Sequence, residues 1–128
     1  MSHTLNQIER AIVEAIKHDN YYTNVKVGTP EAYLLREDNE LPLILVSYLG
    51  AEPYKKLYPG NMTFSIYFIN DRNDRKTIYD MMNDVFEKMQ GNSLNQMLNG
   101  SFQLQFDKFY LEDADYLIFQ QQWLCLSA

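Results

Sequence analysis

The sequence predicts an α+β fold in which one mixed, mainly antiparallel sheet is flanked by two main helices. Between positions 61 and 70, apolar residues alternate with polar ones, the two-residue period of a half-buried strand. Between positions 78 and 89, apolar residues recur at spacings of three and four, which is the period of a helix. Two further alternating segments close the chain and predict a hairpin. The expected order of elements is α-β-β-β-α-β-β.

The composition limits the class of protein. A chain of 128 residues, 46% hydrophobic and 14% aromatic, fits a single domain, 1–128, with a core of its own. Its net charge of -6 opposes binding to phosphates, so we expect no sequence-specific nucleic-acid binding and no membrane contact. Nowhere does the chain approach the roughly 20 consecutive apolar residues of a membrane-spanning helix. The single cysteine favours a reducing, intracellular setting.

The N-terminal segment predicts a helix followed by a strand. Thr4 and Gln7 have the spacing of a capping box, which places the helix start there. Its apolar residues form one stripe: Leu5, Ile8, Ile12, Ala15 and Ile16. The aromatic and β-branched segment Tyr21–Val27 predicts the strand, which Gly28 and Pro30 interrupt.

The next strand is predicted over Leu41–Leu49. This segment is almost continuously apolar, as in a strand covered on both faces, so we place it centrally in the sheet. Pro42 is compatible with a position near the start of the strand. The preceding segment Glu31–Leu35 fits a short strand or a helical turn, and the charged residues 36–40 predict a loop.

The second long helix has a signal at each end. Asn73 or Asp74 can cap its first turn, and Gly91 is suited to ending it. We expect it to cover the sheet through Ile78, Met82, Val85, Phe86 and Met89. After a possible extra helical turn within 92–99, the closing hairpin is predicted from alternation in 102–107 and 116–126, with a turn at Glu112–Asp115.

The loop Gly50–Gly60 is longer than a hairpin requires. It carries five residues suited to a contact: Tyr54, Lys55, Lys56, Leu57 and Tyr58. Aromatic residues often anchor protein interfaces, and the lysines could pair with acids of a neighbour. We interpret this loop as an intersubunit or partner contact. The alternative is that its tyrosines fold back onto their own sheet.

Candidate sites for chemistry each have a simpler interpretation. Asp71, Asn73 and Asp74 lack the glycine and glutamate of a calcium loop, so capping explains them better. The acids of 112–115 are typical of a solvated turn, and His3 and His18 have no ligand-spaced neighbours. Cys125 lies in an apolar strand, where a thiol behaves as a small hydrophobe. We expect no enzyme, no cofactor and no metal.

The order of the elements resembles that of the tail-terminator family of long-tailed phages and prophages, also called tail-completion or minor tail proteins. The similarity lies in a capped N-terminal helix, the strands Leu41–Gly50 and Asn61–Asn70 joined by a long loop, the helix Ile78–Gln90 and a closing hairpin through Trp123. It covers nearly the whole chain and rests on element order, length and pattern.

The resemblance implies a structural role in virion assembly. The chain would form a homo-oligomeric ring, commonly six-fold, that caps the tail tube, ends tail growth and provides the joining surface for the head-side connector. It would assemble in the cytoplasm of the bacterial host and remain in the virion tail. The content of 10 tyrosines, 7 phenylalanines and 1 tryptophan also favours self-association, although tyrosines bordering a small sheet are an alternative. Two other functions remain: a small ligand- or peptide-binding module with a pocket between the second helix and the sheet, and a small hydrolase using the 112–115 acids.

Overall fold

A computed structural model describes residues 5–17, 26–28, 41–52, 61–90, 100–112 and 115–127. The elements follow one another as α1 (Leu5–Lys17), β1 (Lys26–Gly28), β2 (Leu43–Glu52), β3 (Asn61–Asp71), α2 (Arg75–Met89), β4 (Gly100–Glu112) and β5 (Tyr116–Ser127). The sheet has the spatial order β1-β2-β3-β5-β4. β1 runs parallel to β2, and the other neighbours are antiparallel. The predicted α+β fold, with one mixed sheet and two flanking helices in that order, is confirmed.

Both helices pack on one face of the sheet, which forms the core. The alternating apolar residues of β3, Met62, Phe64, Ile66 and Phe68, are fully buried, as the period of two predicts. Ile12 and Ile16 of α1 and Val85 of α2 belong to the same cluster, as do Phe119, Trp123 and Cys125 of β5. Strand β3 lies at the centre of the sheet because β5 pairs with it along its whole length.

The apolar strand predicted at Leu41–Leu49 begins at Leu43 and continues to Glu52. Leu43, Ile44, Leu45 and Val46 are all buried, so the prediction that both faces are covered is confirmed. The strand is interior, although β3 rather than β2 occupies the middle position. Gly50 belongs to β2, because the strand accommodates it at a register shift between Tyr48 and Gly50 and continues pairing to Glu52. The predicted loop is therefore three residues shorter at its start.

The face of the sheet opposite the helices also contains buried residues. Ser65 of β3 is fully buried, and its Oγ accepts a hydrogen bond from Gln120 Nε2 at 2.7 Å. The prediction that this strand is half-buried, with its polar residues on an exposed face, is therefore wrong at Ser65. A buried hydroxyl requires a partner, and Gln120 of the neighbouring strand provides one.

Helix α2 is capped as its sequence predicts, but one predicted core residue is not buried. Asp74 is the N-cap residue and accepts hydrogen bonds from Thr77 N at 3.2 Å and from Thr77 Oγ1 at 2.6 Å. Phe86 is 36% exposed, whereas Met81 takes the core position. Residue 86 is rotated about 100° around the helix axis from Val85, which places it at the edge of the apolar stripe. Its ring leans against Trp123, with centroids 5.8 Å apart.

The closing hairpin is confirmed, with β4 and β5 paired in antiparallel register from Gly100↔Ser127 to Glu112↔Leu117. β4 extends beyond the alternating segment 102–107, because two register shifts, at Leu104/Phe106 and Phe109/Leu111, interrupt the alternation while pairing continues. Other sequence-based predictions fall outside the described residues. These are the Thr4 cap, most of the strand at Tyr21–Val27, the segment Glu31–Leu35, the Gly91 helix end and the extra turn within 92–99.

Candidate functional site

An open groove of about 420 Å³ lies between α2 and the hairpin of β4 and β5. It exists because α2 packs over β3 and β5, while β4, an outer strand of the described sheet, extends beyond the helix. No described residue therefore covers the helix-side face of β4 next to α2. The groove is lined by Tyr79, Met82 and Asn83 of α2, Asp107 and Lys108 of β4, and Phe119 of β5.

Aromatic rings form the apolar surface of the groove. Phe119 lies at its base, and the rings of Tyr79 and Phe109 pack edge-on against it with centroid distances of 5.6 Å each. Tyr79 is 45% exposed and Phe109 is 46% exposed. Such exposed aromatic side chains beside a concave surface are the usual anchors of a binding site.

Polar groups border this aromatic surface. The guanidinium carbon of Arg75 lies 5.7 Å from the centre of the Phe119 ring, and its Nη1 donates a long, 3.5 Å hydrogen bond to Tyr79 Oη. A cation on the ring face is attracted by the ring quadrupole. Asp107 is exposed, and among the described residues its carboxylate has no ion-pair partner. Lys108, which also lines the groove, has its Nζ over the ring of Phe106, 4.6 Å from the ring centre.

The described lining of the groove, with aromatic rings and a few polar groups, is suited to binding. Among the described residues that line it, Asp107 is the one acid, and none is a histidine or a cysteine. Within the described ranges, no cluster of three or more His, Cys, Asp or Glu side chains is placed to hold a metal ion. The described helices include none that is long and apolar enough to span a bilayer.

A second hollow, at the end of the sheet where β3 leads into α2, has a structural explanation. Its lining includes Asp71, Asn73 and Asp115. Asp71 Oδ1 accepts a hydrogen bond from Asn73 N at 2.9 Å, while the backbone N–H of Asp74 donates to Asp71 O at 3.0 Å. The acids that superficially resemble a calcium loop thus organise the turn into α2, which confirms the capping interpretation for Asp74.

The remaining candidate residues are distributed as follows. The proposed contact residues Tyr54, Lys55, Lys56, Leu57 and Tyr58 lie outside the described residues, as do His3, His18 and Asp113. Glu112 is the last residue of β4, so it does not begin the turn, and Asp115 is exposed. Cys125 is fully buried, and this burial raises the pKa of its thiol to about 11. The thiol is therefore protonated at neutral pH and unreactive, which confirms its interpretation as a small hydrophobe.

The sequence-based alternative of a binding module placed a pocket between the second helix and the sheet, but it named none of the residues that line the groove. Tyr79 was not assigned to either face of the second helix, and Phe109 lay beyond the predicted end of its strand. The available signal was that Tyr79 and Phe86 flank the apolar stripe of α2, seven residues apart on one side of the helix. No local pattern indicates that β4 would be an outer strand, which is what uncovers Phe109.

Comparison with known sequences finds no match, whereas comparison with solved structures finds a weak similarity. No protein-family model matches the chain, and no curated protein sequence matches it. A solved structure of a protein from Akkermansia muciniphila, described as being without its transmembrane region, is similar with a TM-score of 0.43 and 10% identity, over 96% of this chain and 80% of that one. A likeness this weak carries no argument about the function of this chain.

Proposed function

We propose that this protein is a structural subunit of a phage or prophage tail that assembles into a ring on the tail tube. The ring would end tail growth and provide the surface to which the head-side connector attaches. The proposal begins from the similarity in element order to tail-terminator proteins. The observation that supports assembly is the exposed aromatic surface of Tyr79, Phe86 and Phe109 beside an otherwise well-filled core.

Exposed aromatic rings of this kind favour association. Tyr, Trp and Phe are enriched in interfaces because they provide large contact area at low entropic cost. A ring also requires two different surfaces on each subunit, because a contact that joins unlike patches closes only by rotation around an axis. The net charge of -6 is compatible with a conduit for DNA, since an acidic lumen repels phosphates.

Size-exclusion chromatography with light scattering, followed by electron microscopy of the eluted protein, tests the proposal. We expect closed rings, either from the purified protein or after addition of tail tubes. Tubes incubated with the protein should also stop elongating in the presence of free tube subunits. A protein that leaves tube elongation unchanged and forms no rings on tube ends would refute the proposal.

The Gly50–Gly60 loop provides a second test. The double variant Tyr54→Ser with Tyr58→Ser should retain the melting temperature of the monomer and lose assembly, because aromatic anchors carry most of the energy of a contact. A variant that unfolds instead would assign these tyrosines to the protein's own core.

A small ligand- or peptide-binding module is the second candidate function. The groove supports it, because it lies between α2 and the sheet, is partly aromatic and has polar groups at its border. A screen of peptides by NMR would distinguish the two functions. Saturable shifts confined to residues around Tyr79 and Phe109, with no change in oligomeric state, would favour the module over the ring.

A further inference from the structure

We propose that the groove between α2 and the β4–β5 hairpin receives residues 53–60 of a second copy of this chain. This segment has the sequence Pro-Tyr-Lys-Lys-Leu-Tyr-Pro-Gly. The inference rests on the proposed ring assembly and specifies the two surfaces that neighbouring subunits would use: the groove of one and the 53–60 segment of the next.

The apolar parts of the two surfaces match. Tyr79 and Phe109 are about half exposed and stand on either side of Phe119. The segment supplies Tyr54, Leu57 and Tyr58, three side chains that can enter an aromatic groove. Aromatic pairs gain from edge-to-face contacts in addition to the area they bury.

The charges also match. Asp107 offers an exposed carboxylate without an ion-pair partner among the described residues. Lys55 and Lys56 are cations in a protein with 17 acidic and 11 basic residues. The half-exposed rings of Tyr79 and Phe109 can also attract an ammonium group. A lysine pair flanked by tyrosines therefore suits the part of the groove at Asp107, whereas the cation Arg75 lies at Phe119.

The backbone of this segment does not reach the Phe119 end of the groove in its own chain. Glu52 pairs with Asn61, so the two ends of the segment lie side by side at one end of the sheet. The groove is at the level of Phe119, which pairs with Phe68. The distance along β3 from Asn61 to Phe68 is seven residue steps, or about 24 Å at 3.4 Å per residue. A loop of eight residues that is anchored at both ends reaches at most about 16 Å from its anchors, because half of its residues lead out and the other half lead back.

This separation has a consequence for assembly. Because the segment follows β2 at one end of the sheet and the groove lies near the middle of the strands, one subunit can use both at once, each with a different neighbour. Such a head-to-tail contact is the type that generates rings. It requires no symmetry between the two surfaces.

The outer edge of β4 is a less suitable contact. Its two register shifts distort the strand, and distortion of this kind protects sheet edges against pairing. Asp107 and Lys108 lie near its middle. Antiparallel pairing of two β4 strands about that point would place either two aspartates or two lysines opposite each other, which is destabilising.

Cysteine cross-linking tests the proposed contact. The pair Lys56→Cys and Asn83→Cys puts one thiol in the segment and one in the groove while retaining every aromatic anchor. The matched control pairs Lys56→Cys with Arg10→Cys, an exposed position on α1. Cys125 does not interfere because it is buried. Under mild oxidation we expect disulfide-linked dimers and higher multimers from the groove pair, and only background levels from the control. Equal cross-linking of both pairs, or none, would overturn the inference.

A mixing experiment tests whether the contact is head-to-tail. One variant has a disabled groove, Asp107→Lys with Phe109→Ser, and the other a disabled segment, Tyr54→Ser with Tyr58→Ser. Neither should assemble alone. Mixed, they should give heterodimers and nothing larger, because each pair retains one intact groove and one intact segment. Circular dichroism establishes that both variants are folded. Mixtures that remain monomeric would refute the contact.

The outcomes distinguish this inference from the proposed function. Rings that form with no cross-link at Asn83 would leave the ring function standing and place the contact elsewhere. If the protein neither forms rings on tail tubes nor cross-links, both proposals fail. If cross-linking is specific but tube elongation is unaffected, the contact stands and the tail function fails.

Discussion

The buried pair Gln121 and Trp123 gives the sharpest test of the packing in this fold. Both side chains are almost fully buried on the helix-side face of β5. Gln121 Oε1 accepts a hydrogen bond from Trp123 Nε1 at 3.1 Å, and Gln121 Nε2 donates to the carbonyl of Met82 in α2, also at 3.1 Å. This one amide therefore connects the helix to the sheet and satisfies the indole.

We predict that Gln121→Met destabilises the fold by about 1 to 3 kcal/mol. Methionine fills a similar volume, so the loss reflects the indole N–H left without a partner in the core. In Trp123→Phe that N–H is absent. The double variant should therefore be less destabilised than the sum of the single variants by about 1 to 2 kcal/mol.

Urea unfolding followed by far-ultraviolet circular dichroism measures all four proteins. Fluorescence is unsuitable, because Trp123 is the single tryptophan and one variant removes it. Gln122→Met is the matched control, since Gln122 is half-buried on the opposite face of β5, and its effect should add to that of Trp123→Phe. If the losses of unfolding free energy in Gln121→Met and Trp123→Phe also added within about 0.5 kcal/mol in the double variant, the proposed connection would be refuted.

Three further predictions concern the helices. Asp74→Ala should cost about 1 kcal/mol in urea unfolding. The hydrogen bond from the Thr77 hydroxyl lowers the pKa of Asp74 in the folded protein. The stabilisation that Asp74 gives the fold is therefore complete above the unfolded pKa of 3.8 and is lost as the pH falls through the folded pKa. The alanine variant should lack this pH-dependent contribution to stability. Met81→Ala should cost about 2 to 5 kcal/mol, because Met81 is fully buried. Phe86→Ala should cost about 1 to 2 kcal/mol, because Phe86 loses mainly its contact with Trp123. Equal costs would show that Phe86 belongs to the core. Lys88→Met should cost about 1.5 to 3 kcal/mol, because Lys88 Nζ donates to Ile16 O at the end of α1 at 2.8 Å and pairs with Asp84 Oδ2 at 3.0 Å. A loss below about 0.5 kcal/mol would show that these two contacts together contribute little.

Much of the fold could be predicted because local patterns carry it. The period of two in Met62–Phe68 and the period of three to four in Ile78–Met89 both follow from covalent geometry, which places every second or every third to fourth side chain on one face. The Asp74 cap is equally local, since a short carboxylate reaches only the amides of the next turn. These features depend on neighbours within a few residues, so the sequence is enough to predict them.

The sites of error share a different cause. Phe86 is apolar and helical, but whether it is buried depends on how far β5 and β4 extend beneath α2. Gly50 was assigned to a loop by its composition, yet pairing with β3 retains it in the strand. Ser65 is polar and buried because Gln120, 55 residues away, supplies its hydrogen bond. In each case a partner that is distant along the chain outweighs the local preference.

The sequence by itself determined the fold class, the order of its elements, the helix cap and the burial of Cys125, because each follows from residue chemistry and spacing within one element. The tertiary structure decided the strand order β1-β2-β3-β5-β4, and with it the position of the groove. Insertion of β5 between β3 and β4 makes β4 an outer strand of the described sheet, beyond the cover of α2. Tyr79 and Phe109 are brought together with Phe119 by that pairing alone, since strand order arises from contacts between segments that no local period records.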